Sequence, residues 1–181
     1  MKDSEKSWAK ALLVAYGHLE TICGAIDKTV LGYGINSGRY GLDVQFCANK
    51  VIALTERKKF LINVKVLVDN ILQKLDNLNA RILVVKYADR FSSELASKTL
   101  NISMRTYFRR INIAIEQFCD ILLKYGYTSQ KLSQIFKNEG WILEIYNSFY
   151  KKHIKTEDLE KLDFLSVAFR SFKQNAVAVN S

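Results

Sequence analysis

The sequence predicts an all-α fold: an N-terminal hairpin of long helices, a central helix-turn-helix and a C-terminal helical region. Three observations carry this. No proline interrupts any of the 181 residues. Apolar residues recur at three- and four-residue spacing nearly throughout, the period of an amphipathic helix. Capping residues and glycines stand where those runs start and stop. The expected division is residues 1–79, 80–126 and 127–181.

In the first unit Trp8, Leu12, Ala15, Leu19, Ile22, Ile26 and Val30 mark one helix face, with Ser4 as a candidate cap. Gly32-Tyr33-Gly34-Ile35-Asn36-Ser37-Gly38-Arg39-Tyr40-Gly41 is expected to break this helix as a connector. A phosphate loop would need a Gly-Lys-Ser/Thr ending and a preceding strand, and neither is present. Leu42 to Leu78 reads as one long helix or two nearly collinear ones. Val44, Cys47, Val51 and Leu54 open its stripe. Phe60, Val64, Leu67, Ile71, Leu75 and Leu78 continue it after a phase shift. Arg57-Lys58-Lys59 form a basic collar, read either as a solvated face or as a second phosphate contact.

The middle of the chain, from Ser92 to Ala114, reads as two short helices joined by a tight turn. Leu95, Ala96 and Leu100 give the first helix a narrow apolar face, and the small Ala96 lets a second helix pack close. Asn101 occupies the turn position that requires a positive φ. Ile102 plugs the turn, and Ser103 is a natural N-cap. Tyr107, Ile111, Ala114, Ile115 and Phe118 then share one face. Arg105, Arg109, Asn112 and Glu116 share another. Basic side chains thus crowd the first turns of a helix presented by a turn, as a DNA recognition helix requires.

Glu94-Leu95-Ala96, Ile102-Ser103, Arg105-Thr106, Arg109-Arg110 and Ala114 together resemble the helix-turn-helix of sigma-factor region four. The likeness is to the extracytoplasmic-function type and to related phage-type regulators. Arg81-Ile82-Leu83-Val84-Val85-Lys86-Tyr87 is similar to the helix that leads into that motif, and the resemblance covers roughly Ala80 to Phe118. Asn101 departs from the family's frequent glycine, and the N-terminal half does not match the promoter-opening region. The resemblance implies sequence-specific binding of double-stranded DNA in transcription control. Arg105 and Arg109 would be base readers, because arginine pairs bidentately with guanine in the major groove. Lys98, Thr106 and Arg110 would meet phosphates. Ser103 would cap the helix and offer its backbone N–H to a phosphate. Phe108 and Asn112 complete the candidate surface. In a competing reading the module docks on RNA polymerase or another regulator, with Met104 and Phe108 as anchors.

Beyond the motif, Gly126 is expected to end the recognition helix, and Thr128 or Ser129 to cap a helix carrying Leu132, Ile135 and Phe136. Gly140 is expected to break that helix. Trp141, Ile142, Ile145, Tyr146, Phe149 and Tyr150 form an aromatic stripe. This could stack bases, but core or interface is the simpler reading. Thr156-Glu157-Asp158 reads as a helix start before Leu159, Leu162, Leu165, Phe169 and Phe172, with Arg170 and Lys173 in its last turns. The tail frays from Gln174.

The net charge of +9 favours an anionic partner. Cys23, Cys47 and Cys119 are odd in number and lack metal or redox spacing, so Cys23 and Cys119 read as buried thiols. His18 and His153 have no ligand neighbours at helical spacing. Glu20 and Asp27 could share a face but read as solvated carboxylates. Neither a catalytic set nor a cofactor is expected. No leader and no membrane-spanning run is apparent, so a reduced, cytoplasmic protein is expected, and Asn101-Ile102-Ser103 is a sequon without consequence. A homodimer is expected because the long second helix offers more apolar surface than one short neighbour covers.

Overall fold

The computed structural model describes residues 2–36 and 43–151, and among these the fold is all-helical. Seven α-helices follow in order: α1 (Lys2–Asn36), α2 (Val44–Leu72), α3 (Asn77–Leu83), α4 (Ser93–Thr99), α5 (Met104–Lys124), α6 (Ser129–Ile135) and α7 (Gly140–Tyr150). A π-helical turn (Val84–Ala88) extends α3. The expected helix from Thr156, the stripe to Phe172, Lys173 and the tail lie outside the described residues, as do His153 and the loop from Ser37 to Leu42.

The expected periodicity of α1 sets its buried face. Trp8, Leu12, Ala15, Leu19, Ile22 and Ile26 are buried. Removing each leucine or isoleucine of this face from water contributes about 1.5–3 kcal/mol. Helix α2 runs antiparallel to α1. Tyr16 Oη donates to Asp69 at 2.6 Å, Glu20 pairs with Lys65 at 3.9 Å, and Lys58 donates to Asp27 at 2.6 Å. Burial, reinforced by the Asp69 hydrogen bond, pushes the Tyr16 hydroxyl up to about 12. Helices α6 and α7 close the principal core from the other side. Trp8 stacks on Tyr146 at 4.3 Å, and Phe136 lies 5.6 Å away on the same indole. Glu139, just ahead of α7, accepts two hydrogen bonds from Arg57 and one from the Trp141 indole, each at 2.8 Å.

Several boundaries differ from the expected ones. Helix α1 passes through Gly32 and Gly34 to Asn36; a helical glycine costs only about 1 kcal/mol and lacks proline's steric veto. Helix α2 ends at Leu72 rather than Leu78. The chain tightens through Lys74 N–H to Ile71 O and Leu75 N–H to Leu72 O, and Asp76 then caps α3 by accepting from Asn79 N–H. Ser4 is not a cap: it lies inside α1, and its hydroxyl meets those of Ser129 and Tyr146. Gly140 opens α7 rather than breaking α6, which has already ended at Ile135. Thr128, not Ser129, caps α6 by accepting from Lys131 N–H.

A smaller cluster of Ile82, Val85, Ala96 and Tyr107 joins α3, α4 and the start of α5, with Leu100, Ile102 and Ile111 against it. Helix α5 belongs to both clusters. Its first turns hold the small cluster through Tyr107, and its later turns enter the principal core through Ala114, Ile115, Phe118 and Leu122.

Candidate nucleic-acid interface

Helix α4 is capped by Ser92, whose hydroxyl accepts from Leu95 N–H at 3.2 Å. It closes on Asn101, whose φ of 53° is left-handed. Ile102 N–H reaches back to Ser97 O and Asn101 N–H to Lys98 O, each at 3.0 Å, so the last carbonyls of α4 are satisfied in a Schellman arrangement. The chain therefore turns within four residues. Ser103 starts α5: its hydroxyl accepts from Thr106 N–H at 3.2 Å and donates to Thr106 Oγ1 at 2.9 Å. At the far end Gly126, with φ 76°, repeats the Schellman closure with bonds from Tyr127 N–H to Leu122 O and Gly126 N–H to Leu123 O.

Ala96 is fully buried between α4 and its neighbours. Leu95 departs from its expected place: it is 48% exposed, and Ser97 is buried instead, donating to Glu94 O. The reason is spacing. Ala96 and Leu100 sit four residues apart on one face, and Leu95 is rotated about 100° away from Ala96. Tyr107 is buried, which pushes its hydroxyl up from its ordinary value while Ser93 beside it acts in the opposite sense. Ile111 is half-buried at the junction of the two clusters.

Arg105, Arg109 and Asn112 are exposed on the outer side of α5, and Lys98 is exposed on α4. Thr106 and Arg110 are half-buried at its edge. None of Lys98, Arg105, Arg109 or Arg110 has a hydrogen bond or ion pair among the described residues, and the charges of the first three are open to solvent. Phe108 is 51% exposed and meets the Tyr107 ring edge-on at 5.5 Å. Met104 lies one turn before it and is also exposed. Glu116, farther along the face, pairs with Lys6 at 2.6 Å.

The basic collar of α2 behaves differently. Arg57 is held by Glu139 and Lys58 by Asp27, which leaves Lys59 as its exposed member. Those carboxylate bonds give the collar a packing role. Glu20 and Asp27 are exposed, as expected of solvated carboxylates; Asp27 bonds Lys58 at 2.6 Å, and Glu20 lies 3.9 Å from Lys65. In the aromatic stripe, Trp141, Ile142 and Ile145 are core and Tyr150 is exposed. Among the thiols, Cys47 and Cys119 are buried but Cys23 is half-buried. Burial, with Asp120 and Glu5 nearby, raises the Cys119 thiol to about 11, so it stays protonated near neutral pH. No group of three or more His, Cys, Asp or Glu among the described residues could hold a metal, and no described helix is long and apolar enough to cross a membrane.

A second structural feature gave no sequence signal. Gly17 of α1 touches the π-helical turn so closely that a Cβ there would lie 2.4 Å from Tyr87 O. Arg90, left-handed at φ 57°, donates to Gly17 O at 3.3 Å and to His18 Nδ1 at 3.2 Å. This latch ties the lead into α4 to the principal core.

In comparisons with known proteins, no family model, no curated protein and no solved structure matches the chain.

Proposed function

We propose that α4 and α5 form a helix-turn-helix that binds double-stranded DNA sequence-specifically in transcription control, akin to sigma-factor region four. The first turns of α5 enter the major groove. Arg105 and Arg109 read bases, with Asn112 beside them. Lys98, Thr106 and Arg110 contact phosphates. Ser103 caps the helix and turns its N–H toward the backbone of the duplex. The supporting observation is that four cationic side chains, unbonded among the described residues, surround one capped helix start. Residues 80–112 carry seven Lys/Arg against two Asp/Glu, a net +5 of the chain's +9. Such a patch supplies the sequence-independent attraction on which base readout is built.

A second reading is favoured by the exposure of Met104 and Phe108, an apolar pair beside the charges. There the same helices dock on RNA polymerase or another regulator. Selection from a library of duplexes with the purified protein separates the two. The DNA reading expects one motif to be enriched, and Arg105→Ala to cost about 1–3 kcal/mol on that motif while relaxing one base pair. Absence of duplex binding at low salt overturns it in favour of protein docking.

A further inference from the structure

We infer that the outer face of α2 is an interface between two copies of this chain, packed antiparallel about a two-fold axis at Thr55. Helix α2 is apolar on two opposite sides. Leu61, Val64, Val68, Ile71 and Leu72 face the principal core. Val44, Ala48, Ile52, Thr55, Ile62 and Val66 are all exposed, with Val44 at 74% and Ile52 at 61%. At 3.6 residues per turn these six fall within an arc of about 80° on the opposite side of the helix. One buried face explains one apolar stripe, and α2 has two.

The order of residues in the stripe points to a second copy as the occupant. A two-fold interface is self-complementary: where residue i meets j, j meets i. Val44 and Val66 stand eleven residues either side of Thr55, and Ala48 and Ile62 stand seven either side. Antiparallel pairing about Thr55 therefore sets valine on valine and isoleucine on alanine, with a small side chain on its own copy at the axis. Two cations meet the stripe: the pairing sets Ile52 opposite Lys58, which Asp27 already holds, and Val51 opposite Lys59, and the two Lys59 levels are separated by about 12 Å along the helices.

Area fits a weak dimer. The stripe runs about 33 Å along α2 and is about 10 Å across. The Asp27–Lys58 bond sets the end of α1 alongside, where Leu31 and Ile35 are exposed. Together they give roughly 400 Å² per copy. About 800 Å² in total is the size of a weak, concentration-dependent interface rather than a permanent one. The inference does not rest on the DNA reading, and its test uses no nucleic acid.

The test uses the full chain in sedimentation at tens of micromolar, with oxidative cross-linking of Thr55→Cys read by peptide mapping. A dimer is expected, Thr55→Cys should link to its own copy faster than Gln130→Cys, and Ile62→Glu should sediment as a monomer with unchanged helix content. The last variant alters a side chain already exposed in the single chain, so loss of dimer is separable from loss of fold. A monomeric parent overturns the inference, and this is also the result expected if residues 152–181 of the same chain cover the stripe. A dimer that survives Ile62→Glu, with no preferential link at Thr55→Cys, overturns it as well.

Discussion

His18 is buried on α1 and takes a hydrogen bond from Arg90. Burial, with the Arg90 charge beside it, lowers its pKa from 6.5 to about 4. The sign follows from linkage. Between about pH 6.5 and about 4 the unfolded chain binds a proton that the folded chain excludes, so stability falls as pH falls through that window. Thermal melts of the parent should lose midpoint across it more steeply than melts of His18→Gln, whose side chain does not titrate there. Equal slopes would mean that His18 is not held neutral by the fold. Residues acting within their own turn were legible: the spacing of Asn101, Ser103 and Ala96 already marks a turn, a cap and a close contact. Arg90 was not, because its side chain bonds Gly17 and His18, more than seventy residues away. Leu95 is exposed because the phase of α4 belongs to Ala96 and Leu100, and hydrophobicity alone does not imply burial.

At the level of elements, α4 and α5 are short-range structures whose ends are satisfied by their own side chains and backbone. Removing the Ser103 hydroxyl orphans the Thr106 N–H, and Ser103→Ala should cost about 0.5–2 kcal/mol in chemical denaturation. Asn101→Gly should be neutral or slightly stabilising, because glycine adopts the required positive φ freely. If Asn101→Gly destabilises as much as Ser103→Ala, the asparagine side chain has a bonding role that its conformation does not explain. The same local logic explains why the helical class, the buried face of α1 and the stop at Gly126 could be read from periodicity and caps. The end of α2 could not. Leu75 and Leu78 continue its apolar spacing, yet Asp76 caps a new helix between them, and Leu78 packs against the smaller cluster instead. Apolar spacing is blind to a change of partner. Val44 shows the same: it shares the expected stripe with Cys47, yet Val44 is exposed and Cys47 is buried, because spacing alone does not say which neighbour covers a helix end.

Across the whole molecule, stability and the proposed DNA contact are carried by opposite sides of α5. Phe118 is fully buried in the principal core, whereas Arg109 stands outside with its charge unbonded among the described residues. Phe118→Ala should therefore lower stability by about 3–5 kcal/mol through the cavity it leaves. Arg109→Ala should stay within about 0.5 kcal/mol, as surface substitutions do. On the DNA-binding proposal the order reverses for affinity, measured below the melting range of both proteins. Arg109→Ala should weaken the preferred duplex by about 1–3 kcal/mol and relax one position. Arg110→Ala should weaken all duplexes alike. The salt dependence distinguishes these roles, because each neutralised phosphate adds about −0.9 to the slope of log K against log salt. Arg110→Ala should flatten that slope by about one, and a base-reading Arg109 should leave it nearly unchanged. If Arg109→Ala destabilises the fold like Phe118→Ala, the outer face of α5 is packed rather than free, and its base-reading role falls. If the fold holds and both arginine variants bind like the parent, duplex recognition lies elsewhere on the chain.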